Sequence, residues 1–230
     1  MEIKPIAHIE TYFGSKFGVP RQSGIVKGLR GRIVFVPEFR NADALRGLED
    51  FEYIWLLWDF SEAHRRGWSP TVRPPRLGGN ARMGVFATRS PFRPNNIGLS
   101  AVRMCGIEHT ETEGTVVIVE GADLMNGTPI YDIKPYLAYT DAHPDAKGGF
   151  TQGTAHSSTE NLEVIFDCDV SSVLNDEKSE ALCQVLAADP RPRYQTDEDR
   201  SYGFVFAGCE VRFVVRNGKV VVVSCDRVKK

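Results

Sequence analysis

The sequence predicts a mainly β protein, a β-barrel of mostly antiparallel strands followed by a small α+β domain. Three observations lead there. Short segments of alternating or β-branched residues recur along residues 1–140 with few helical stretches between them, which disfavours a parallel sheet with crossover helices. No strand leads into a G-x-G-x-x-G, and no G-x-x-x-x-G-K-[ST] occurs, so a doubly wound nucleotide fold is unsupported. A stretch poor in apolar residues, Asp141 to Asn161, then separates these segments from a strand, a helix and a hairpin.

The elements follow in order. Ile6 to Phe13 and Gly31 to Val36 read as strands. Asn41 is placed to cap a short helix over Ala42 to Leu48. "FEYIWLLWDF" reads as a buried central strand whose aromatics belong to the core. Ser61 to Arg82, with Pro70, Pro74, Pro75, Gly78 and Gly79, reads as a long loop, and a loop of that length in a compact domain usually carries function or is disordered. Met83 to Ala87, Ile97 to Ile107, Gly114 to Glu120 and Pro129 to Ile133 complete the strands, and closing them as a barrel removes their open edges. Residues 1–140 are therefore one domain, 141–161 a linker and 162–230 a second domain. In the latter, Leu162 to Cys168 reads as a strand and Asn175 to Ala188 as a helix with Ala181, Leu182, Val185 and Leu186 on one face. Asp189-Pro190 ends that helix, and Asn217-Gly218 between "VRFVV" and "KVVVV" signals a type I′ hairpin.

Composition narrows the function classes. With 42% apolar and 25% charged residues, the chain is an ordinary globular one. Its longest apolar run, Tyr53 to Trp58, is too short to span a bilayer, and no basic start leads into an apolar leader. Five scattered cysteines without a C-x-x-C pair predict reduced thiols and a cytoplasmic location, and five histidines without ligand spacing predict no metal. The net charge of −2 hides an asymmetry: Ala63 to Arg103 contains no Asp or Glu but eight arginines and no lysine. Arginine's planar fork suits phosphate and carboxylate and its face stacks on bases, so an anion partner is expected.

Two stretches carry candidate chemistry. In "FATRSPFRPNNIG", Phe86 to Gly98, Pro91 and Pro94 stiffen the loop and Arg89 and Arg93 flank the flat ring of Phe92. Asn95 and Asn96 admit tight turns. Stiff backbone, cation, aromatic and amide together suit a nucleoside or nucleotide. The alternative is an arginine-rich turn that salt-bridges its surroundings. In "NGTPIYDIKPY", the turn Asn126-Gly127-Thr128-Pro129 leads into a strand, on which Asp132, Lys134 and Tyr136 alternate on one face. A polar outer face paired with its neighbours is the other reading. G-x-S-x-G is absent, and Ser90 and Ser100 have no nearby His in sequence, which disfavours a Ser–His hydrolase.

At these residues the chain resembles the TrmO (YaeB, TsaA-like) family. The resemblance rests on "VPRQ", "GLEDFEYIW", "RPPRLGGNARMGVFATRSPFRPNNIG", "GADLMNGTPIYDIKPY" and "DPRPRYQ", in that order over nearly the whole chain. It implies a β-barrel methyltransferase unrelated to Rossmann enzymes. The implied activity is S-adenosylmethionine-dependent methylation of N6 of N6-threonylcarbamoyladenosine, the base just 3′ of a tRNA anticodon, by a homodimer. By motif, the implied cofactor pocket takes Pro20, Arg21, Gln22, Ser61, Glu62, Arg89, Leu99 and the turn Asn126 to Pro129. The family usually has Asp where this chain has Asn126, and often Pro where it has Asn96.

That activity sets further expectations. A urea-type nitrogen is a poor nucleophile until its proton leaves, so a general base is needed; Asp132 is the first candidate and Tyr136 the second. The tRNA anticodon loop is expected on Arg65, Arg66, Arg73, Arg82, Phe92, Arg93, Asn95 and Lys134, because an extruded base needs stacking and cationic surfaces. Two rivals are a non-catalytic RNA-binding barrel and a sensor of S-adenosylmethionine.

Overall fold

The computed structural model describes residues 2–64, 67–74, 77, 81–152, 161–191 and 197–228. Six strands form one antiparallel sheet: β1 (Ala7–Glu10), β2 (Arg30–Phe35), β3 (Tyr53–Asp59), β6 (Ile97–Thr110), β7 (Gly114–Glu120) and β8 (Thr128–Pro135). Their order is β1-β2-β7-β6-β3-β8, and β8 pairs back with β1, so the sheet is a closed barrel. Side chains of Ile9, Ile33, Ile54, Leu56, Val117, Val119 and Ile130 fill its interior, all fully buried. β3 alternates inward and outward as a strand with one buried face should. The centre of β7, Val116 to Val119, is apolar without alternation because both of its faces are covered: Val117 and Val119 point into the barrel, while Val116 and Ile118 pack with Val34 in a separate cluster.

β6 runs three residues past its expected end to Thr110, with a register shift between Met104 and Gly106. Two other segments are shorter than the sequence suggests. Of Ile6 to Phe13 only Ala7–Glu10 pairs in the barrel; Phe13 leaves it to bridge to Phe206. Of Met83 to Ala87 only β5 (Met83–Gly84) is a strand, because its partner β4 (Thr71–Val72) has two residues, and Val85–Ala87 turns into a 3₁₀ helix. The expected long loop is thus partly folded, with a 3₁₀ turn at Ser61–Ala63 and strand β4 inside it.

A second sheet has the order β10 (Tyr202–Phe206), β11 (Cys209–Arg216), β12 (Lys219–Arg227) and β9 (Glu163–Phe166), the last parallel to β12. Asn217 and Gly218 both hold positive φ at the β11–β12 turn, as a type I′ hairpin requires. The short α1 (Ala138–Asp141) follows the barrel, and α2 (Asp176–Ala187) covers the second sheet with its predicted apolar face. Asn175 caps α2 by accepting from the Lys178 N–H at 3.1 Å. This core also takes residues from the N-terminal segment: Phe13, Val26 and Leu29 pack among Leu182, Phe204 and Phe206. The Ala207 N–H to Tyr12 carbonyl bond (2.7 Å) and the Gly28 N–H to Gln184 Oε1 bond (3.1 Å) tie the two parts together.

Gly98, the second residue of β6, lies directly opposite Trp58, and a Cβ there would clash with the indole. Gly98→Ala is expected to lower stability by roughly 1–3 kcal/mol, the usual cost of overpacking. The check is a thermal or urea melt; a wild-type midpoint would mean the indole moves aside at no cost.

Candidate functional site

A cleft of ≈ 2280 Å³ opens where β3 ends and β6 and β8 begin. Single small ligands occupy about 300–1,000 Å³, so there is room for a cofactor and part of a larger substrate together. Its rim includes Gly148 to Thr151 and, from the second sheet's side, Pro190 and Arg191. Arg191 is held by the Asp189 carboxylate at 2.9 Å, and its carbonyl accepts from Arg21 at 2.9 Å.

The loop Phe86 to Gly98 forms one wall and is bonded mainly to itself. Arg93 folds back so that its guanidinium donates to the carbonyls of Thr88 (2.7 Å) and Val85 (3.3 Å). Asn96 donates to the Pro91 carbonyl at 2.6 Å, and Thr88 Oγ1 to Val85 at 2.8 Å. Prolines remove competing donors, and these side chains supply the bonds that fix the loop. Arg89 is left to point across the cleft, where it donates to Gln22 Oε1.

Behind Arg89 lies a polar chain. Trp58 Nε1 donates to Ser100 Oγ at 3.0 Å, and Ser100 Oγ donates to the Asp123 carboxylate at 2.6 Å. Burial pushes the Asp123 carboxyl above its usual range, against the pull of the Ser100 hydroxyl and the Arg89 charge. Asp123 is the functional candidate that sequence reading missed. It sits in a resemblance motif, "GADLMNGTP", but nothing in its spacing marks it; desolvation by the barrel end does. A second cleft carboxylate, the buried Asp59, is engaged by His64 Nε2 at 2.7 Å and by the Tyr131 hydroxyl, whose pKa is raised first by burial and then by this neighbour.

The sequence-derived residues divide into three groups. Pro20, Arg21, Gln22, Ser61, Glu62, Arg89, Leu99 and Thr128 line the cleft, as do Arg73, Arg82, Phe92 and Arg93. Asn126, Gly127 and Pro129 do not; their turn is an anchor. The Asn126 side chain accepts from the Thr11 N–H at 3.0 Å, its N–H donates to Phe13, and Gly127 takes φ +80° while donating to Ile9. An amide oxygen fills that acceptor role, so Asn126 serves where the family resemblance implies Asp.

Asp132, Lys134, Tyr136 and Asn95 also lie outside the cleft. Asp132, Lys134 and Tyr136 do share one face of β8, as expected, but Tyr131 bulges where the register with β3 shifts between Leu57 and Trp58, so that this face is the outer one, opposite to buried Ile130. Asp132 and Lys134 then pair with each other at 2.8 Å, both partly exposed, and Tyr136 packs against Tyr53 and Trp55. Arg65 and Arg66 lie outside the described residues. Arg103 pairs with Glu52 and Glu120 rather than facing the cleft. Among the described residues, no group of three or more His, Cys, Asp or Glu side chains is placed to hold a metal ion, and no helix is long and apolar enough to cross a membrane.

Residues 8–142 match the model of the tRNA-methyltransferase O N-terminal domain, and residues 159–228 that of the TrmO C-terminal domain. The chain belongs to the TrmO family. It is 41% identical over 204 residues to the tRNA (adenine(37)-N6)-methyltransferase of Escherichia coli (strain K12), covering 86% of this chain and 85% of that one. The crystal structure of TrmO from Pseudomonas aeruginosa superposes with a TM-score of 0.77 at 30% identity, covering 98% of both chains. A more distant relative from Pyrococcus abyssi, 33% identical over 153 residues, covering 66% of this chain and 77% of its own, is named a probable S-adenosyl-L-methionine-binding protein.

Proposed function

We propose that this TrmO-family chain is an S-adenosylmethionine-dependent tRNA methyltransferase acting on N6 of adenine 37. Its substrate form is taken to be the threonylcarbamoyl-modified base, on the ground of the family resemblance. The observation that carries the reading is the cleft itself. It joins a fixed arginine, a desolvated carboxylate and an exposed apolar residue, Leu99, 51% exposed, at the barrel end.

These residues fit the cofactor's chemistry. Arg89, steadied by Gln22, suits the carboxylate of the methionyl end, and Leu99 and Met125 offer apolar surface to the adenosine. S-adenosylmethionine supplies an already activated methyl on a sulfonium, so alignment is the main demand on the protein. The stiff loop wall serves that demand. Asp123, rather than Asp132, is assigned as the group that accepts the N6 proton. It opens on the cleft, and its raised pKa makes it a stronger base than an exposed carboxylate. The Ser100 hydroxyl orients it. Asp132 and Tyr136 keep a catalytic role only if the homodimer that the resemblance implies carries them to a neighbour's cleft. Residues 1–140 are assigned the chemistry, 141–161 the connection, and 162–230 support of the cleft rim through Arg191, in a protein working on tRNA in the cytoplasm.

The test is incubation with labelled S-adenosylmethionine and bacterial tRNA with and without the threonylcarbamoyl group. Label transfer only to modified tRNA is expected. Binding of RNA without the cofactor would favour the non-catalytic barrel, and binding of the cofactor without RNA the sensor.

The tRNA electrostatics are assigned to Arg73 and Arg82, which reach the cleft in a segment without acids. Arg73→Gln with Arg82→Gln is expected to weaken tRNA binding and to reduce its logarithmic salt slope by about one per lost phosphate contact. Cofactor affinity should not move. A wild-type slope would place both arginines away from phosphate.

A further inference from the structure

Trp68 and Phe86 are the unexplained pair on the cleft wall. Trp68 is 51% exposed and Phe86 69% exposed, although each ring is among the costliest surfaces to leave in water. Their centroids lie 6.0 Å apart with the planes inclined by 28°, and the Arg93 guanidinium lies over Phe86 at 5.7 Å from its centroid. The same guanidinium donates to the carbonyls of Val85 and Thr88, so the cation over Phe86 is itself anchored to the loop backbone. Pairing of Thr71–Val72 with Met83–Gly84, and the Val85 N–H to Pro70 carbonyl bond at 2.9 Å, hold the two rings' backbone segments together. The platform is thus built before any ligand arrives.

We propose that Trp68 and Phe86 form a stacking platform for an unpaired nucleobase of the RNA loop, adjacent to the base that is methylated. The proposal rests on the tRNA reading above. The surroundings favour this occupant. Both rings line the same cleft as Arg73 and Arg82, and the segment from Ala63 to Arg103 has no acid to repel a phosphate chain. Aromatic rings among arginines are what a single-stranded polyanion needs, since every base has a π-face and every link a charge. A purely apolar partner would gain nothing from the arginines.

The experiment uses the full chain and a short anticodon stem-loop RNA, with Trp68→Ala, Phe86→Ala and Trp68→Phe. Each alanine variant is expected to weaken RNA binding roughly 5- to 100-fold, the range stacking on one base commands, while Trp68→Phe retains most of the affinity. Affinity for S-adenosylmethionine and the salt slope are expected to stay at wild-type values, because no phosphate contact is lost. Wild-type RNA affinity in a folded Trp68→Ala protein overturns the platform and leaves the tRNA reading intact. Loss of cofactor affinity instead would assign the rings to the cofactor's adenine, and a changed oligomeric state would assign them to a second copy; either overturns the proposal. A wild-type protein that binds no RNA removes the tRNA reading and the platform with it.

Discussion

Asp123→Asn is expected to bind cofactor and tRNA and to methylate roughly 10²- to 10⁴-fold more slowly, the range a general base commands. The amide is close in shape and can still accept from Ser100 Oγ, so the chain from Trp58 through Ser100 stays intact. It cannot take a proton at neutral pH. The wild-type single-turnover rate should rise with pH, with its inflection above the ordinary aspartate value of about 3.9, since burial raises the Asp123 pKa. The rising limb should vanish in the variant. Stability moves the other way. The folded chain holds the Asp123 proton more tightly than the unfolded chain, so this group favours the fold at low pH. That contribution disappears as pH climbs from the unfolded to the folded value. The melting temperature of Asp123→Asn relative to wild type should therefore improve across that window. A near-normal single-turnover rate in the variant would move the base elsewhere, with Asp132 or Tyr136 across a dimer the next to test.

Arg89→Ala should abolish methylation at ordinary cofactor concentrations and weaken S-adenosylmethionine binding roughly 10- to 100-fold, the share of one charge-assisted contact. Its fold should be untouched, since Arg89 is exposed and its bond inside the protein is to Gln22. A second effect separates a direct role from a general one. Arg89 is a positive charge that lowers the Asp123 pKa. Its removal should push any residual rate's inflection to higher pH. Isothermal titration and a pH–rate profile check both. Unchanged cofactor affinity would take Arg89 out of the cofactor pocket and towards the RNA.

Much of this was legible in the chain. Alternation at Ile54, Leu56 and Trp58, the apolar run at β7, the Asn175 cap and the Asn217-Gly218 turn are local signals. Side-chain period and backbone preference act over a few residues, so such signals survive without a tertiary context. The stiffness of the loop Phe86 to Gly98 was equally readable from its prolines. What Arg93 does there was not. A long arginine can reach a phosphate or its own backbone, and only the folded loop selects the carbonyls of Val85 and Thr88.

The amino-acid sequence by itself determined the class of fold, the family and the presence of a rigid, arginine-rich wall. Tertiary structure decided which polar groups share the cleft. Asp132 reads as a site residue because it shares a strand face with Lys134 and Tyr136; that face exists, but the bulge at Tyr131 turns it to the side away from Ile130 and leaves Asp132 paired with Lys134 outside the cleft. Asp123 reads as a loop acid, yet the barrel end desolvates it and sets Ser100, 23 residues away in the chain, against its carboxylate. Trp68 and Phe86, 18 positions apart in the sequence, become neighbours through a two-residue ladder. Burial and long-range pairing are properties of the closed sheet, and no window of the sequence contains them.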